Sequence, residues 1–257
     1  RIGKKCSIMT QWSQPVEVTR NRLLILMDGH ALVHRAFHAI QHPLTLSGTG
    51  EDVRGVYGFL NGFLRTISDW NPTHVSITFD LPTPTFRHKL FVDYKAHRPP
   101  TPPELRSQFD RVRQLMRAFK VPIYEIAGYE ADDLLGTLCS QAEGANLDSL
   151  ILTGDSDTLQ LVSPRVRVLM NNGVQKRSLF DIEAVRNRYG GLGPECVSDI
   201  KALQGDPSDN IPGVPGIGIK TAISLLSTYA SIEGIYRNLA EVTPVRIRKS
   251  LEDSREI

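Results

Sequence analysis

Continuous apolar runs alternate with apolar stripes along this chain. "RLLILMD" (22–28), "HVSITFD" (74–80) and "SLILTGD" (149–155) are short apolar runs, each closed by an aspartate: Asp28, Asp80 and Asp155. Bounded runs of this kind predict strands buried on both faces. Between them, 31–40, 53–69 and about 103–119 carry helical patterns, and "VPIYE" (121–125) adds another extended stretch. In "YEADDLLGTL" (129–138), Ala131, Leu134, Leu135 and Leu138 recur at i, i+3, i+4 and i+7, so a helix opens among three crowded carboxylates, Glu130, Asp132 and Asp133. Strand and helix in alternation predict an α/β fold, a mainly parallel central sheet flanked by helices.

Acidic residues are ordinary at helix starts, where unpaired amides and the helix dipole favour negative charge, so capping alone accounts for the trio. The other carboxylates change the picture. In a parallel sheet the carboxyl ends of the strands share one edge, and that edge is where open α/β sheets bind ligands. Asp28, Asp80 and Asp155 end strands, Asp157 follows two residues later, and the helix of the trio begins just past 121–125. Like charges at close range are costly. A rim of six or seven carboxylates therefore calls for a hard divalent cation with oxygen ligands, Mg²⁺ or Mn²⁺ rather than zinc.

Composition narrows the class. At 257 residues, 40% hydrophobic and 23% charged, the chain suits one large domain, or a domain with a small appendage. No apolar stretch approaches the roughly 20 residues of a membrane span. Residues 1–21 are polar, lack a signal region with a cleavage site, and read as a flexible extension. Cys6, Cys139 and Cys196 are far apart with no Cys-x-x-Cys, which argues against structural zinc or a disulfide framework and for a reducing compartment. A net charge of +2 conceals strong polarity: 125–160 hold eight acidic residues and no Lys or Arg, whereas 85–120 hold nine basic residues against three acidic. A negative centre beside a positive stretch suits a metal-dependent enzyme acting on polyanions.

"GDPSDNIPGVPGIGIKTAISLL" (205–226) adds Asp206 and Asp209, then a glycine-rich turn opening a helix. Gly216, Gly218 and Ala222 fit the helix–hairpin–helix pattern Gly-x-Gly-x-x-x-Ala. Small residues let a DNA backbone approach, the amides at the helix start can hold a phosphate, and Lys220 and Thr221 can add contacts.

Six motifs, "DGHALVHRAF", "TFDLPTPTFRH", "YKAHRP", "GYEADDLLGTL", "TGDSDTLQLV" and "GDPSDNIPGVPGIGIKTA", together resemble in order and spacing the 5′-nuclease (5′–3′ exonuclease) domains of bacterial DNA polymerases I, in the flap endonuclease family. The resemblance runs from about residue 22 to 250. It implies a PIN-like catalytic core over 22–180, with a helical arch at about 84–105, and a helix–hairpin–helix DNA-binding subdomain over 181–257. It also implies hydrolysis of DNA and RNA-primer phosphodiesters near 5′ single-strand/duplex junctions by a two-metal-ion mechanism, in replication and repair.

The family's metal-site carboxylates carry over to Asp28, Asp80, Glu130, Asp132, Asp133, Asp155, Asp157, Asp206 and Asp209. Arg35, Lys95 and Arg98 resemble the residues that grip the scissile phosphate, Tyr94 an aromatic that stacks a terminal base, and Arg87 a DNA contact, beside Gly216, Gly218, Lys220 and Thr221 of the hairpin. The implied cofactors are two Mg²⁺ ions, replaceable by Mn²⁺, with K⁺ at the hairpin. The implied partners are DNA with 5′ flaps or nicks, RNA–DNA primers, and a DNA polymerase, fused or separate. The expected protein is a monomer, cytoplasmic and nucleoid-associated, with no membrane contact. Pro99, Pro100, Pro102 and Pro103 interrupt the arch, so 84–102 is expected to be mobile without DNA. Two features depart from the family: Ile219 places an apolar side chain at the hairpin, and "GGL" (190–192) holds an extra glycine. The rival readings are a PIN-type ribonuclease, which lacks the hairpin, and a non-catalytic DNA-binding module, which needs no acidic rim.

Overall fold

The structure, a computed structural model, describes residues 22–171 and 177–255; the predicted extension 1–21, with Cys6, lies outside them. In chain order the elements are β1 (Leu23–Asp28), α1 (Gly29–Ala39), α2 (Arg54–Trp70), β2 (His74–Thr78), α3 (Phe86–Leu90), α4 (Pro103–Ala118), β3 (Ile123–Tyr124), α5 (Ala131–Gly144), β4 (Asp148–Thr153), β5 (Val166–Asn171), β6 (Arg177–Phe180), α6 (Ile182–Arg188), α7 (Val197–Gln204), α8 (Ile219–Tyr229), α9 (Ile232–Arg237) and α10 (Val245–Asp253). Short 3₁₀ turns occupy Ser156–Leu161, Pro194–Cys196 and Leu239–Glu241.

The strands form one sheet in the order β3-β2-β1-β4-β5-β6. Its pairs are parallel except β5 with β6, which is antiparallel. The chain order reverses between β1 and β4, which makes the gap beyond their carboxyl ends the switch point where open sheets take ligands. Asp28 closes β1, while Asp80 and Asp155 lie two residues beyond β2 and β4 rather than within them. Each therefore sits on the turn that leaves the sheet edge.

Side chains alternate across the sheet, as period two requires. From β1, Leu26 packs on one side while Leu23, Ile25 and Met27 pack on the other with α1, α2 and α4. From β4, Ile151 joins the first side and Leu150 and Leu152 the second. The first cluster also takes Leu135 of α5, Val185 of α6, Ile200 and Leu203 of α7, Leu225 and Leu226 of α8, Ile235 of α9 and Leu251 of α10. The C-terminal helices thus share a core with the sheet. Each fully buried aliphatic side chain contributes about 1.5–3 kcal/mol, so this shared core fixes the helices against the sheet edge.

On the opposite face, buried Gln108 of α4 accepts hydrogen bonds at Oε1 from the Gly55 and Val56 amides, 2.6 and 3.2 Å away. It caps the start of α2 from another helix, since Val53 at the cap position makes no side-chain cap bond. Cys139 and Cys196 are free and buried. Burial pushes the Cys139 thiol up to about 12, which makes it inert at neutral pH. Among the described residues no helix is long and apolar enough to cross a membrane.

Candidate active site

An open cleft of about 1240 Å³ lies beyond the sheet edge, and Asp28, Asp80, Glu130, Asp132, Asp155 and Asp206 line it. Local folding places most of these groups. Asp28 ends β1 and caps α1, its Oδ1 accepting from the Ala31 amide at 3.0 Å and its Oδ2 from the Thr153 hydroxyl at 2.8 Å. Asp80 Oδ1 accepts from the Ala131 amide at 2.7 Å, which draws the start of α5 towards the turn after β2. Asp155 Oδ1 accepts from the Asp157 amide at 2.9 Å and caps the 3₁₀ turn that follows. Asp132, in the first turn of α5, takes no hydrogen bond or ion pair among the described residues.

These four form an inner set with no Lys or Arg partner. Burial, opposed by the bonds from Ala31 and Thr153 and supported by repulsion from Asp80 and Asp155, pushes the Asp28 carboxyl up to about 6. Burial, then the charges of Asp28, Asp155, Asp80 and Asp157, push Asp132 well above the usual carboxylate range. Hard oxygen donors that repel one another and lack a protein counter-charge fit a divalent cation of the Mg²⁺ class. As they stand, no three acidic, His or Cys side chains among the described residues close on a common ion position.

The remaining carboxylates form an outer set, each held by a cation from another segment. Glu130 Oε1 takes Lys95 Nζ at 2.8 Å, and Arg87 lies 3.7 Å from its Oε2. Asp209 pairs with Arg98, and the Tyr94 hydroxyl stands 2.9 Å from Glu130 Oε2 and 3.0 Å from Asp209 Oδ2. Lys201 Nζ bridges Asp157 at 2.7 Å and Asp206 at 2.9 Å. Burial opposes ionisation of Asp206, but bonds from Ser208 and Lys201 outweigh it and hold its pKa below the usual range. For Lys201 burial is likewise outweighed, here by Asp157 and Asp206, and its pKa is raised.

Several expectations are corrected here. Asp133 does not open onto the main cleft: Arg87 grips both its oxygens at 2.8 Å, and its Oδ2 accepts from the Glu130 amide at 2.9 Å. Asp133 completes a capping box with Glu130 at the start of α5, and Arg87 pairs with it there. Asp157 and Asp209 also do not line the main cleft; Asp157, with Asp132 and Asp133, borders a neighbouring recess. Tyr94 is only 4% exposed, so its ring offers no face to a base. The segment 84–105, the expected arch, lies bonded to another part of the chain. Beyond α3 it runs in turns, and 93–98 bonds to the loop 206–210: Lys95 N–H donates to the Asp209 carbonyl, Arg98 Nε to the Ser208 carbonyl, and Asn210 Nδ2 to the Asp93 carbonyl, at 2.8, 3.1 and 2.8 Å. Lys95 adopts φ +57, a left-handed conformation that costs a non-glycine residue about 1 kcal/mol or more and persists where surrounding bonds impose it.

Lys95, Arg98 and Arg35 line the same cleft as the inner carboxylates. Arg35 donates to the Gly154 carbonyl at 2.7 Å. A Cβ at Gly154 would stand 2.4 Å from Arg35 Nε, so the glycine after β4 lets the guanidinium lie against the strand end. Gly216, at φ +80, makes the turn before α8. Gly218 is the N-cap residue of α8, and no atom lies within 4 Å of an added Cβ at either glycine. Lys220 and Thr221 stand in the first turn of α8, with Ile219 exposed beside them.

Lys201 and Thr153 escaped the sequence reading, and the ring of His30 adds a further group to the site. Lys201 sits in "DIKALQGD" with nothing to mark it as other than a helix-face lysine. Thr153, within the quoted "TGDSD" stretch, donates to Asp28. His30, next to Asp28, accepts the Asp80 amide at Nδ1 (3.0 Å). Burial lowers its pKa, so the ring is neutral and carries its proton on Nε2.

Comparison with known proteins agrees with this geometry. The family profile described as "5′-3′ exonuclease, N-terminal resolvase-like domain" matches residues 23–190, and "5′-3′ exonuclease, C-terminal SAM fold" matches 192–257. The DNA polymerase I of Chloroflexus aurantiacus is 44% identical over 237 residues, 91% of this chain and 25% of its own length. That of Bacillus caldotenax is 41% identical over 235 residues, 91% of this chain and 26% of its own. The chain thus spans about a quarter of the length of these curated relatives. Among solved structures, T5 5′-exonuclease with bound divalent zinc aligns at TM-score 0.76 and 21% identity, over 91% of this chain and 86% of that one. The catalytic core of Rad2 in complex with DNA substrate aligns at 0.58 and 16%, over 92% and 74%. These two share the fold. By its family profiles and its polymerase relatives, the chain is a member of the 5′–3′ exonuclease family of nucleases.

Proposed function

We propose that this chain is a structure-specific 5′–3′ exonuclease and flap endonuclease, cutting phosphodiesters near 5′ single-strand/duplex junctions of DNA and RNA–DNA primers. The observation that carries the reading is one cleft holding four carboxylates without a protein cation beside three basic side chains, Arg35, Lys95 and Arg98. Two Mg²⁺ ions, or Mn²⁺, fit the inner set of Asp28, Asp80, Asp132 and Asp155, with Glu130 and Asp206 joining when they exchange their present partners. When bound, such ions supply the positive charge that acidifies an attacking water and steadies the departing 3′-oxygen.

The chain's own groups do the rest. Arg35, Lys95 and Arg98 neutralise charge growing on the phosphoryl oxygens, an electrostatic stabilisation worth most in a cleft that excludes water. Neutral His30 orients water beside Asp80 through Nε2–H. The exposed start of α8, with Gly216, Gly218, Lys220 and Thr221, seats a duplex phosphate, and K⁺ at this turn would neutralise part of its charge. The DNA bound by the Rad2 core and the zinc on T5 5′-exonuclease support the same substrate and cofactor class here. The polymerase relatives support work beside a DNA polymerase, in the same chain or apart, in the bacterial cytoplasm and nucleoid. The hairpin before α8 disfavours the PIN-type ribonuclease, and the inner carboxylates disfavour a non-catalytic module, since without cations they repel DNA.

The test is cleavage of an end-labelled double-flap DNA. Chelator should abolish it, Mg²⁺ or Mn²⁺ restore it, and Ca²⁺ support binding with little turnover. Asp155→Ala should slow cleavage by at least ~10²-fold. Normal turnover of that variant, or of the parent in chelator, removes the metal-dependent reading.

A further inference from the structure

With Tyr94 buried, the aromatic rings open beside the cleft are others. Phe86 at the start of α3 is 38% exposed and Tyr129, just before α5, is 52% exposed. Their ring centroids lie 5.9 Å apart with the planes at 57°. The Phe86 amide donates to the Gly128 carbonyl at 3.0 Å, which pins the start of α3 to the turn that presents Tyr129. The Arg87 guanidinium lies 4.6 Å from the Phe86 ring centroid, and its other bonds go to Asp133. Arg87, Phe86 and Tyr129 therefore form a short pile that is anchored at the arginine and open at the tyrosine.

We propose that Phe86 and Tyr129 form a base-stacking platform at the mouth of the cleft, taking unpaired nucleobases of the strand whose phosphates run past Glu130 and the inner carboxylates. This rests on the nuclease reading above and deepens it. Position carries the proposal first: Tyr129 precedes Glu130, which lines the cleft, and Arg87 against the Phe86 ring lies 3.7 Å from the Glu130 carboxylate, so the two rings border the cleft lining. Chemistry carries it second. Every base presents a π-face, and aromatics interleaved with basic residues are how single strands are held without sequence preference. Here Phe86 and Phe91 flank the basic residues Arg87 and Lys89.

The experiment uses the full chain with flap DNA in Ca²⁺. 2-Aminopurine is placed at the first unpaired positions of the 5′ strand, and a matched flap is abasic there. On wild-type protein the 2-aminopurine emission should fall on binding, and the abasic flap should bind about five- to fifty-fold more weakly, as expected for the loss of one stacked base. Phe86→Ala and Tyr129→Ala should each weaken binding of the intact flap by a comparable factor and leave the abasic flap little changed. Tyr129→Phe should retain stacking. The abasic comparison needs no variant, so misfolding cannot mimic it. Equal affinity for intact and abasic flaps, with unchanged emission, overturns the platform, and the apolar face then serves a protein contact or nothing. If wild-type protein cuts flaps in Mg²⁺ while those signals are absent, only the platform fails; if it neither binds nor cuts them, the nuclease reading fails with it.

Discussion

Lys95 Nζ lies 2.8 Å from Glu130 Oε1, so a cleft lysine and a cleft carboxylate neutralise one another. Both must change partners before either meets a substrate. Lys95→Ala should lower the single-turnover rate at saturating flap DNA by at least ~10²-fold while the dissociation constant moves little, because the contact matters most in the transition state. Rapid-quench kinetics beside equilibrium binding separates the two. An intact saturated rate with weakened binding would reduce Lys95 to a general phosphate contact.

Asp132 has raised proton affinity and no partner, which gives a stability prediction with a definite sign. A carboxyl whose folded pKa lies above its unfolded value binds its proton more tightly in the native state, so stability falls as pH rises from the unfolded towards the folded pKa. For Asp28 that window runs from about 3.8 to about 6. The protein in chelator should therefore lose thermal stability across this range, and Mg²⁺ should restore it above pH 6. Asp132→Asn removes one of the repelling charges and should raise the Tm in chelator while shrinking the Mg²⁺-induced rise. Calorimetry at several pH values, with and without the ion, reads both; a lower Tm for the variant in chelator would contradict the repulsion.

Lys201, by contrast, neutralises Asp157 and Asp206 together. Its side chain is 29% exposed, so its loss leaves two half-buried carboxylates short of a donor. Lys201→Met should destabilise the protein in chelator by about 1–3 kcal/mol. Divalent ions should recover more of the loss than they add to the wild type, which urea unfolding in parallel buffers would detect.

Lys220 stands in the first turn of α8. Lys220→Ala should weaken duplex binding and reduce the slope of log affinity against log salt by about 0.9, the value for one phosphate contact. The saturated cleavage rate should hold. A collapsed rate with an unchanged slope would place Lys220 in the chemistry instead.

Much of the site is legible in the sequence because backbone geometry dictates it. A parallel strand that ends in Asp can deliver that carboxylate only to the carboxyl edge, which is why Asp28, Asp80 and Asp155 are readable from three similar runs. Helical periodicity places Asp132 and Asp133 in one turn but not the direction each side chain takes. Asp132 turns into the acidic cleft and Asp133 turns to Arg87, a partner 46 positions away. Long-range ion pairs of this kind leave no periodic trace. The same holds for Lys201, whose two partners come from the turn after β4 and the loop after α7. The burial of Tyr94 is not legible either, because its hydroxyl meets two carboxylates that only the fold brings together.

The core shared by the C-terminal helices and the sheet has a geometric consequence. α7 places Lys201 on Asp157 with one face and packs Ile200 and Leu203 among residues of α8 with another. The loop 205–218 between the acidic cleft and the start of α8 is partly exposed, but Val214 and Ile217 tie it into the same core. If the proposed function holds, the assembly would act as a caliper: a duplex seated at one jaw would present its strand to the other at a set number of nucleotides, and the place of the cut would be measured from the junction rather than read from the base sequence.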